Sequence, residues 1–309
     1  MELLYFIIKA IIFYITIITI SAYLSLLERK LIGRIQLRRG PSYCGRFGLL
    51  QPLADGLKLF FKYNCLQSHS IYSIFGVVLL LFCSLLQFSF FPIPILPVVP
   101  YFYLLSSENS LLYLIIINEI MSFSEVIIGI SSSSKFGIIG GIRVIFQKLA
   151  YDIPYTLLIL CLSILNNTLD INNINISIIS PKFNVLLFLF SITFFIINLI
   201  KVNHIPFDCV EAESELVAGA YTEYGVMLFG MIYLSDYLNV LFSAFLYTKF
   251  FIGTNNIIFF ILCVILFVAS IVIIRTMFPR YLQSQILNIS YKFLIPICCI
   301  FLFCIVDFN

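Results

Sequence analysis

Acidic residues crowd into one short polar segment that precedes a long apolar run. Asp208, Glu211, Glu213 and Glu215 lie close together, and Glu223 follows about two helical turns later. Carboxylates this close repel one another, so some of them hold a proton near neutral pH, and such a chain can pass protons. A helix start is the competing interpretation, because acids are favoured in a first turn. It explains Asp208 and Glu211 better than the other three.

Further acids lie inside apolar stretches, where an ionisable side chain costs roughly 2.5–3.5 kcal/mol to insert and therefore needs a partner or a function. They are Glu119, Glu125, Asp152 and Asp236. Arg143 and Lys148 precede Asp152 by one or two turns, so structural pairing is one interpretation. A proton path is the other.

A basic segment, 28–70, follows the first apolar run, and glycines and prolines predict irregular backbone in its first half. From Leu53 the pattern predicts a short amphipathic helix at the membrane surface. Its apolar face consists of Leu53, Leu57, Phe60 and Phe61, and its polar face of Asp55, Lys58 and Lys62. The segment either sets topology and contacts anionic lipid, or it lines a cavity, where irregular backbone is tolerated at membrane depth.

The composition excludes several classes of protein. Of 309 residues, 61% are hydrophobic and 11% are charged, against roughly 25% charged residues in a soluble domain. A soluble enzyme, a disordered chain and a nucleic-acid binder are therefore excluded. The nine cysteines and two histidines show no metal-binding spacing, so we expect buried thiols and no metal site.

These properties predict an all-α integral membrane protein with about eight transmembrane helices. The predicted spans are 3–27, 71–91, 111–130, 142–165, 185–200, 216–244, 257–274 and 287–306. With eight spans, all but three of the 18 Lys and Arg residues lie in loops on one side. The positive-inside rule then places both termini outside and the basic loops inside. Gly137, Gly140 and Gly141 follow no strand, so we interpret them as small residues at a helix crossing and not as a phosphate loop.

The pattern therefore predicts one membrane domain, 1–309, with three informative inner loops. They are the basic loop 28–70, the acidic loop 201–216 and the basic loop 275–292.

The motifs in these loops resemble those of a known family, and the resemblance covers nearly the whole chain. The first loop contains Leu27-Glu28-Arg29-Lys30, Gln36-Leu37-Arg38-Arg39-Gly40-Pro41 and Gly48-Leu49-Leu50-Gln51-Pro52-Leu53-Ala54-Asp55. The second contains Pro206-Phe207-Asp208 and Glu213-Ser214-Glu215-Leu216-Val217-Ala218-Gly219, and the third Arg275-Thr276 with Pro279-Arg280. Together they resemble the H-type membrane subunit, subunit 1, of respiratory complex I.

The resemblance implies a core membrane subunit of the proton-pumping NADH:quinone oxidoreductase that is not catalytic alone. The residues implied near the quinone path are Arg29, Arg38, Asp55, Phe60, Arg275 and Arg280. Those implied in the proton path are Glu28, Asp152, Asp208, Glu211, Glu213, Glu215, Glu223 and Asp236. Ubiquinone would be the substrate, while NADH, FMN and the iron–sulfur clusters would be bound by partner subunits.

The implied partners are the peripheral-arm subunits at the quinone site, other membrane-arm subunits and lipids, without nucleic acid. The implied location is the mitochondrial inner membrane, with the basic loops on the matrix side and both termini in the intermembrane space.

The chain departs from the family pattern at Tyr63, Lys201, His204 and Ser284, where the family usually has Glu, Glu, Arg and Asp. Glu119 and Glu125 are outside the pattern, and one hypothesis is that they replace lost acids. The alternatives are the core membrane subunit of a related membrane-bound hydrogenase and a secondary transporter, although the repeats of a transporter are missing.

Overall fold

The computed structural model describes residues 2–62, 71–92, 104–105, 107–132, 134–174, 184–209, 219–222, 224–253 and 256–308. Within these ranges the chain is helical and contains no strand, which confirms the predicted all-α class. The helices are α1 (Glu2–Ile35), α2 (Gln51–Phe61), α3 (Ile71–Ser89), α4 (Ser110–Ser131), α5 (Lys135–Asn166), α6 (Asn184–Lys201), α7 (Val226–Tyr247), α8 (Ile257–Met277), α9 (Gln283–Ile289) and α10 (Ile295–Phe308).

Seven helical stretches of the described chain are long and apolar enough to cross a membrane. They are Leu4–Ile35, Ile71–Ser89, Ser110–Ser131, Lys135–Asn166, Val226–Ile252, Ile257–Met277 and Gln283–Ile305. The span predicted at 185–200 corresponds to α6, whose apolar part, Leu187–Lys201, is shorter than these seven. Large apolar side chains such as Ile12, Phe123 and Leu266 are exposed along the outer helix faces, as lipid contact requires.

The first helix continues about two turns beyond its predicted end, so Glu28 and Arg29 lie on α1 and not in a loop. The stop signal is a Schellman motif. Leu37 adopts φ 55°, its N–H donates to the Arg34 carbonyl over 3.2 Å, and the Arg38 N–H donates to the Gly33 carbonyl over 2.8 Å. The inner loop therefore begins near residue 36.

The helices that correspond to the fourth and sixth predicted spans, α5 and α7, also begin at positions other than those predicted. Helix α5 begins at Lys135, where the Ser134 hydroxyl accepts the Gly137 N–H over 3.1 Å. Arg143 and Lys148 fall inside the predicted span 142–165 although the charge count assigned them to an inner loop. They lie on α5, so the predicted sidedness rests on the remaining basic residues. Helix α7 begins at Val226 and not at 216, after a 3₁₀ turn, Gly219–Tyr221, in which Gly219 has φ 55°.

Small residues allow α4 and α5 to pack with their backbones in contact, as the glycine pattern predicted. A Cβ on Gly129 would lie 2.4 Å from the Gly141 Cα, and a Cβ on Gly140 would lie 2.4 Å from the Ala220 backbone nitrogen. Two buried apolar clusters, to which α4 and α5 also contribute, fill the spaces between the helices.

Helix α2 is the predicted amphipathic helix. It begins with Pro52 in its first turn, where the missing N–H costs nothing. Leu53 and Leu57 are exposed on one side, while Asp55 faces α1.

Candidate functional site

Glu28 lies at the meeting point of α1, α7 and α8 and is 5% exposed. Arg275 forms an ion pair with its Oε1, and the Tyr237 hydroxyl donates to its Oε2 over 2.5 Å. The Tyr233 hydroxyl lies 2.8 Å from that of Tyr237. We call these four residues the Glu28 cluster. It brings a predicted proton-path residue into contact with a predicted quinone-path residue 247 positions away.

A small cavity lies beside the Glu28 cluster. Its charged and titratable lining residues are His204, Asp208, Tyr221, Tyr233, Asp236, Tyr237 and Arg275. Asp208 is buried and lies 3.5 Å from Arg280, measured between Oδ2 and Nη2. Burial lowers the pKa of His204 to about 4, the charge of Glu28 opposing the shift and that of Arg275 adding to it.

A lateral groove, partly open to the outside, lies between α1, α2 and α7. Its lining includes Ser21, Ala22, Ser25, Arg29, Pro52, Asp55, Gly56, Leu59, Gly230, Tyr233, Leu234 and Tyr237. Arg29 Nη1 lies 2.7 Å from Asp55 Oδ2, and the Gln51 amide donates to Asp55 Oδ1 over 2.8 Å. This pair is about two-fifths exposed, so it fixes α2 against α1 geometrically more than energetically. The Tyr233 and Tyr237 side chains line both this groove and the cavity.

A second group of charges, Glu119, Glu125, Lys148, Asp152 and Lys201, lies on α4, α5 and α6, and we call it the α5 cluster. Lys148 Nζ lies 2.8 Å from Glu125 Oε1, and the two side chains are 6% and 3% exposed. In this structure Lys148 therefore pairs with Glu125 on α4 and not with Asp152, the pairing that one interpretation of the sequence allowed. Asp152 Oδ1 is buried with no hydrogen-bond partner in the described part of the chain.

The other predicted site residues either lie apart from these groups or lie outside the part of the chain that the structure describes. Arg38 is exposed beyond the end of α1. Phe60 lies on α2, but its side chain is not among those described. Glu211, Glu213, Glu215 and Glu223 also lie outside the described residues, as does Tyr63, while Ser284 lies on α9.

Sequence reasoning missed the two tyrosines of the Glu28 cluster. Tyr233 and Tyr237 are four residues apart on α7, so they share a helix face, and this spacing was the available signal. Tyrosine is common in apolar segments, however, and its partner cannot be read from spacing alone.

The described chain is therefore a helical membrane protein with buried acid–base contacts between its spans, and such intramembrane charges are rare because they are costly to insert. A model of the NADH dehydrogenase family matches residues 8–306. The NADH-ubiquinone oxidoreductase chain 1 of Cyanidium caldarium is 33% identical, over 94% of this chain and 87% of the relative. The H-type NADH-quinone oxidoreductase subunit of Rickettsia typhi is 32% identical, over 94% and 89%. The chain 1 protein of Chondrus crispus is 33% identical, over 96% and 94%.

The chain belongs to this family, so it is a core membrane subunit of NADH:quinone oxidoreductase, an enzyme complex. The resemblance drawn from the loop motifs is thereby confirmed.

Proposed function

We propose that this chain forms the membrane-side part of the quinone chamber and the first part of the proton path that couples quinone reduction to proton translocation. The observation that carries the proposal is the Glu28 cluster. Arg275 and Glu28 are in direct contact there, between the lateral groove on one side and a cavity lined by Asp208 and Asp236 on the other.

The lateral groove suits the entry of a quinone. Ubiquinone has a long apolar tail, which must arrive at membrane depth between helices, while its polar head must meet hydrogen-bond donors further in. The groove is mostly apolar and has Arg29 and Asp55 at its polar end. Phe60 and Arg38 are assigned to the quinone path only by their motifs.

The proton path would begin at the acids around the cavity. Reduction of a quinone takes up two electrons and two protons, and this changes the charge near the Glu28 cluster. Glu28, Asp208 and Asp236 are close enough to that charge to respond to it. Glu211, Glu213, Glu215 and Glu223 would continue the path toward Asp152 and the other membrane-arm subunits.

The remaining assignments follow from this role. Peripheral-arm subunits would supply electrons from NADH through FMN and iron–sulfur clusters and would dock on the basic inner loops. We place the chain in the mitochondrial inner membrane, with the basic loops in the matrix and both termini in the intermembrane space. The two relatives named as ubiquinone oxidoreductase chain 1 support this location.

Gly56 lines the groove, and a Cβ at this position meets nothing within 4 Å, so a side chain introduced here can narrow the groove. In the assembled complex, Gly56→Leu should raise the KM for a long-tailed quinone about tenfold, equivalent to about 1.4 kcal/mol. The KM for a short-tailed analogue should change much less. Leu57→Phe adds bulk to the exposed side of the same helix and is the matched control. An equal effect on both quinones, or no effect, would contradict entry through the groove.

A further inference from the structure

The α5 cluster contains a buried ion pair that the quinone chamber does not use. Glu125 on α4 accepts hydrogen bonds from Lys148 at Oε1, over 2.8 Å, and from the Asn203 amide at Oε2, over 3.2 Å. Lys148 also donates to the Tyr151 hydroxyl over 2.9 Å. Burial makes such a pair a weak source of stability, because desolvation offsets most of the attraction. A role other than stability therefore has to be considered.

Asp152 offers Lys148 a second carboxylate. The two residues are four positions apart on α5, so their side chains share a face, with Cβ atoms about 5–6 Å apart. Asp152 Oδ1 is buried and has no hydrogen-bond partner among the described residues. Asp152 experiences the charges of Lys148, Glu119, Lys201 and Glu125. Because Asp152 lies one turn from Lys148 on the same helix and has an unsatisfied buried oxygen, it offers the Lys148 ammonium group a second pairing arrangement.

Lys201 supplies the second positive charge of the cluster. It is 5% exposed, its Nζ lies 4.4 Å from the centre of the Tyr155 ring, and it donates to the Tyr155 hydroxyl over 3.3 Å. Within the described chain no carboxylate lies within 4.0 Å of this Nζ. Two ammonium groups and three carboxylates give the cluster a formal charge of −1 when all are ionised. One additional proton makes the cluster neutral, which lowers the cost of holding its charges between apolar helices.

We propose that Glu125 is an additional proton-carrying residue of the path and that Lys148 is the positioning residue that exchanges between Glu125 and Asp152. This inference rests on the proposed proton path through Asp152. In one state Asp152 holds the additional proton, and Lys148 makes the pair with Glu125 that this structure contains. In the other, Glu125 holds the proton and Lys148 pairs with Asp152.

The step balances in atoms and charge. One O–H bond breaks at Asp152 and one forms at Glu125, while Lys148 keeps its three ammonium protons and changes only its partner. The proton moves from α5 to α4, and the charge of the cluster stays the same. Lys148 stabilises both states, because in each of them its ammonium group pairs with the carboxylate that has lost the proton.

The test separates a relay from a structural pair, using the assembled complex in sealed membranes. Glu125→Gln alone leaves Lys148 without its buried partner, so assembly should fall. The double variant Glu125→Gln with Lys148→Gln removes both charges and should restore assembly, measured on native gels. If Glu125 carries protons, translocation by this assembled double variant should stay at least fivefold below wild type. Normal translocation would overturn the proposal.

A second variant does not depend on removing the pair. Glu125→Asp keeps a carboxylate for Lys148 but reaches one methylene less far toward α5, so translocation should slow two- to fivefold while assembly stays normal. Full-rate translocation would overturn the proposal as well. Lys249→Met, which removes another buried lysine near Asp170, is the matched control.

Failure here is distinguishable from failure of the proposed chamber. If the Glu125 relay is wrong, translocation is normal without the Glu125–Lys148 pair. If the proposed chamber is wrong, the quinone KM is unchanged in Gly56→Leu.

Discussion

Glu28 is held from two sides, by the guanidinium of Arg275 and by the hydroxyl of Tyr237. A buried carboxylate needs such partners, because the loss of its hydration is costly. The motif at Leu27-Glu28-Arg29-Lys30 indicated that Glu28 matters, but it could not indicate the partners. The partners lie on two other helices. The three side chains meet only because each helix packs with the appropriate face toward α1, and this orientation cannot be read from the motif.

Removal of the Tyr237 hydroxyl should weaken this arrangement. A hydrogen bond to a charged group contributes roughly 1.5–3 kcal/mol, so Tyr237→Phe should lower the rate of quinone-coupled proton translocation about tenfold or more. Translocation is measured as acidification of membrane vesicles driven by NADH. Tyr247→Phe, the same substitution on α7 within an aromatic cluster, is the control and should change the rate little. Equal rates for the two variants would contradict a role for the Glu28 contact.

His204 should make the complex less stable in mild acid. Burial lowers its pKa from 6.5 to about 4. Below the ordinary pKa the unfolded chain binds a proton that the folded chain does not accept until about pH 4. Stability should therefore fall as the pH is lowered through this window and should be unaffected by His204 above it.

The measurement is the unfolding temperature of the purified complex at about pH 7 and about pH 5. His204→Asn removes the titrating group while keeping a polar side chain, so its unfolding temperature should fall less than that of wild type between the two values. An identical fall in both proteins would show that other groups account for the acid sensitivity.

At the scale of elements, hydropathy located the spans well but their ends poorly. The end of α1 depends on a Schellman motif with a leucine, Leu37, in the left-handed region. Sequence rules expect glycine or asparagine there, so the motif was invisible. Helix α2 was predictable because its apolar and polar residues alternate with the helical period. The pairing of Lys148 with Glu125 was not, because it depends on how closely α4 approaches α5.

The close contact between α4 and α5 should tolerate no side chain at Gly129. The Cβ of Gly129→Ala would lie 2.4 Å from the Gly141 Cα and 2.9 Å from its nitrogen, so the backbones of α4 and α5 would have to separate. We expect a loss of about 1–3 kcal/mol in stability, measured as a lower unfolding temperature of the complex. Gly56→Ala, on α2, meets nothing within 4 Å and gains about 1 kcal/mol in helix propensity. It should leave stability unchanged or higher, and destabilisation by both variants would point to a general effect of alanine.

At the scale of the whole molecule, the loop motifs identified the family although many individual contacts were unpredictable. The motifs contain residues such as Glu28 and Arg275, whose ion pair joins two helices, and the match is recognisable although single residues such as Lys201 depart from the pattern. The sidedness of the chain is a separate matter, because it depends on the distribution of charge across the membrane. Because several basic residues lie on α5 and α6 and not in loops, the predicted sidedness rests mainly on the first loop, which contains Arg38, Arg39 and Arg46.

Labelling with a membrane-impermeant maleimide can test this sidedness at two positions. Cys44 lies in the first loop as a free, partly exposed thiol, and Asn173, exposed in the segment after α5, can be replaced as Asn173→Cys. We expect Asn173→Cys to be labelled in vesicles that expose the outer side and Cys44 only in inverted vesicles, as mapped by mass spectrometry. If the peripheral arm docks on the basic loop, labelling of Cys44 should also increase several-fold once a chaotrope removes that arm. Labelling of Cys44 from the outer side would reverse the topology, and labelling of Cys44 that ignores removal of the arm would separate the basic loop from the docking surface.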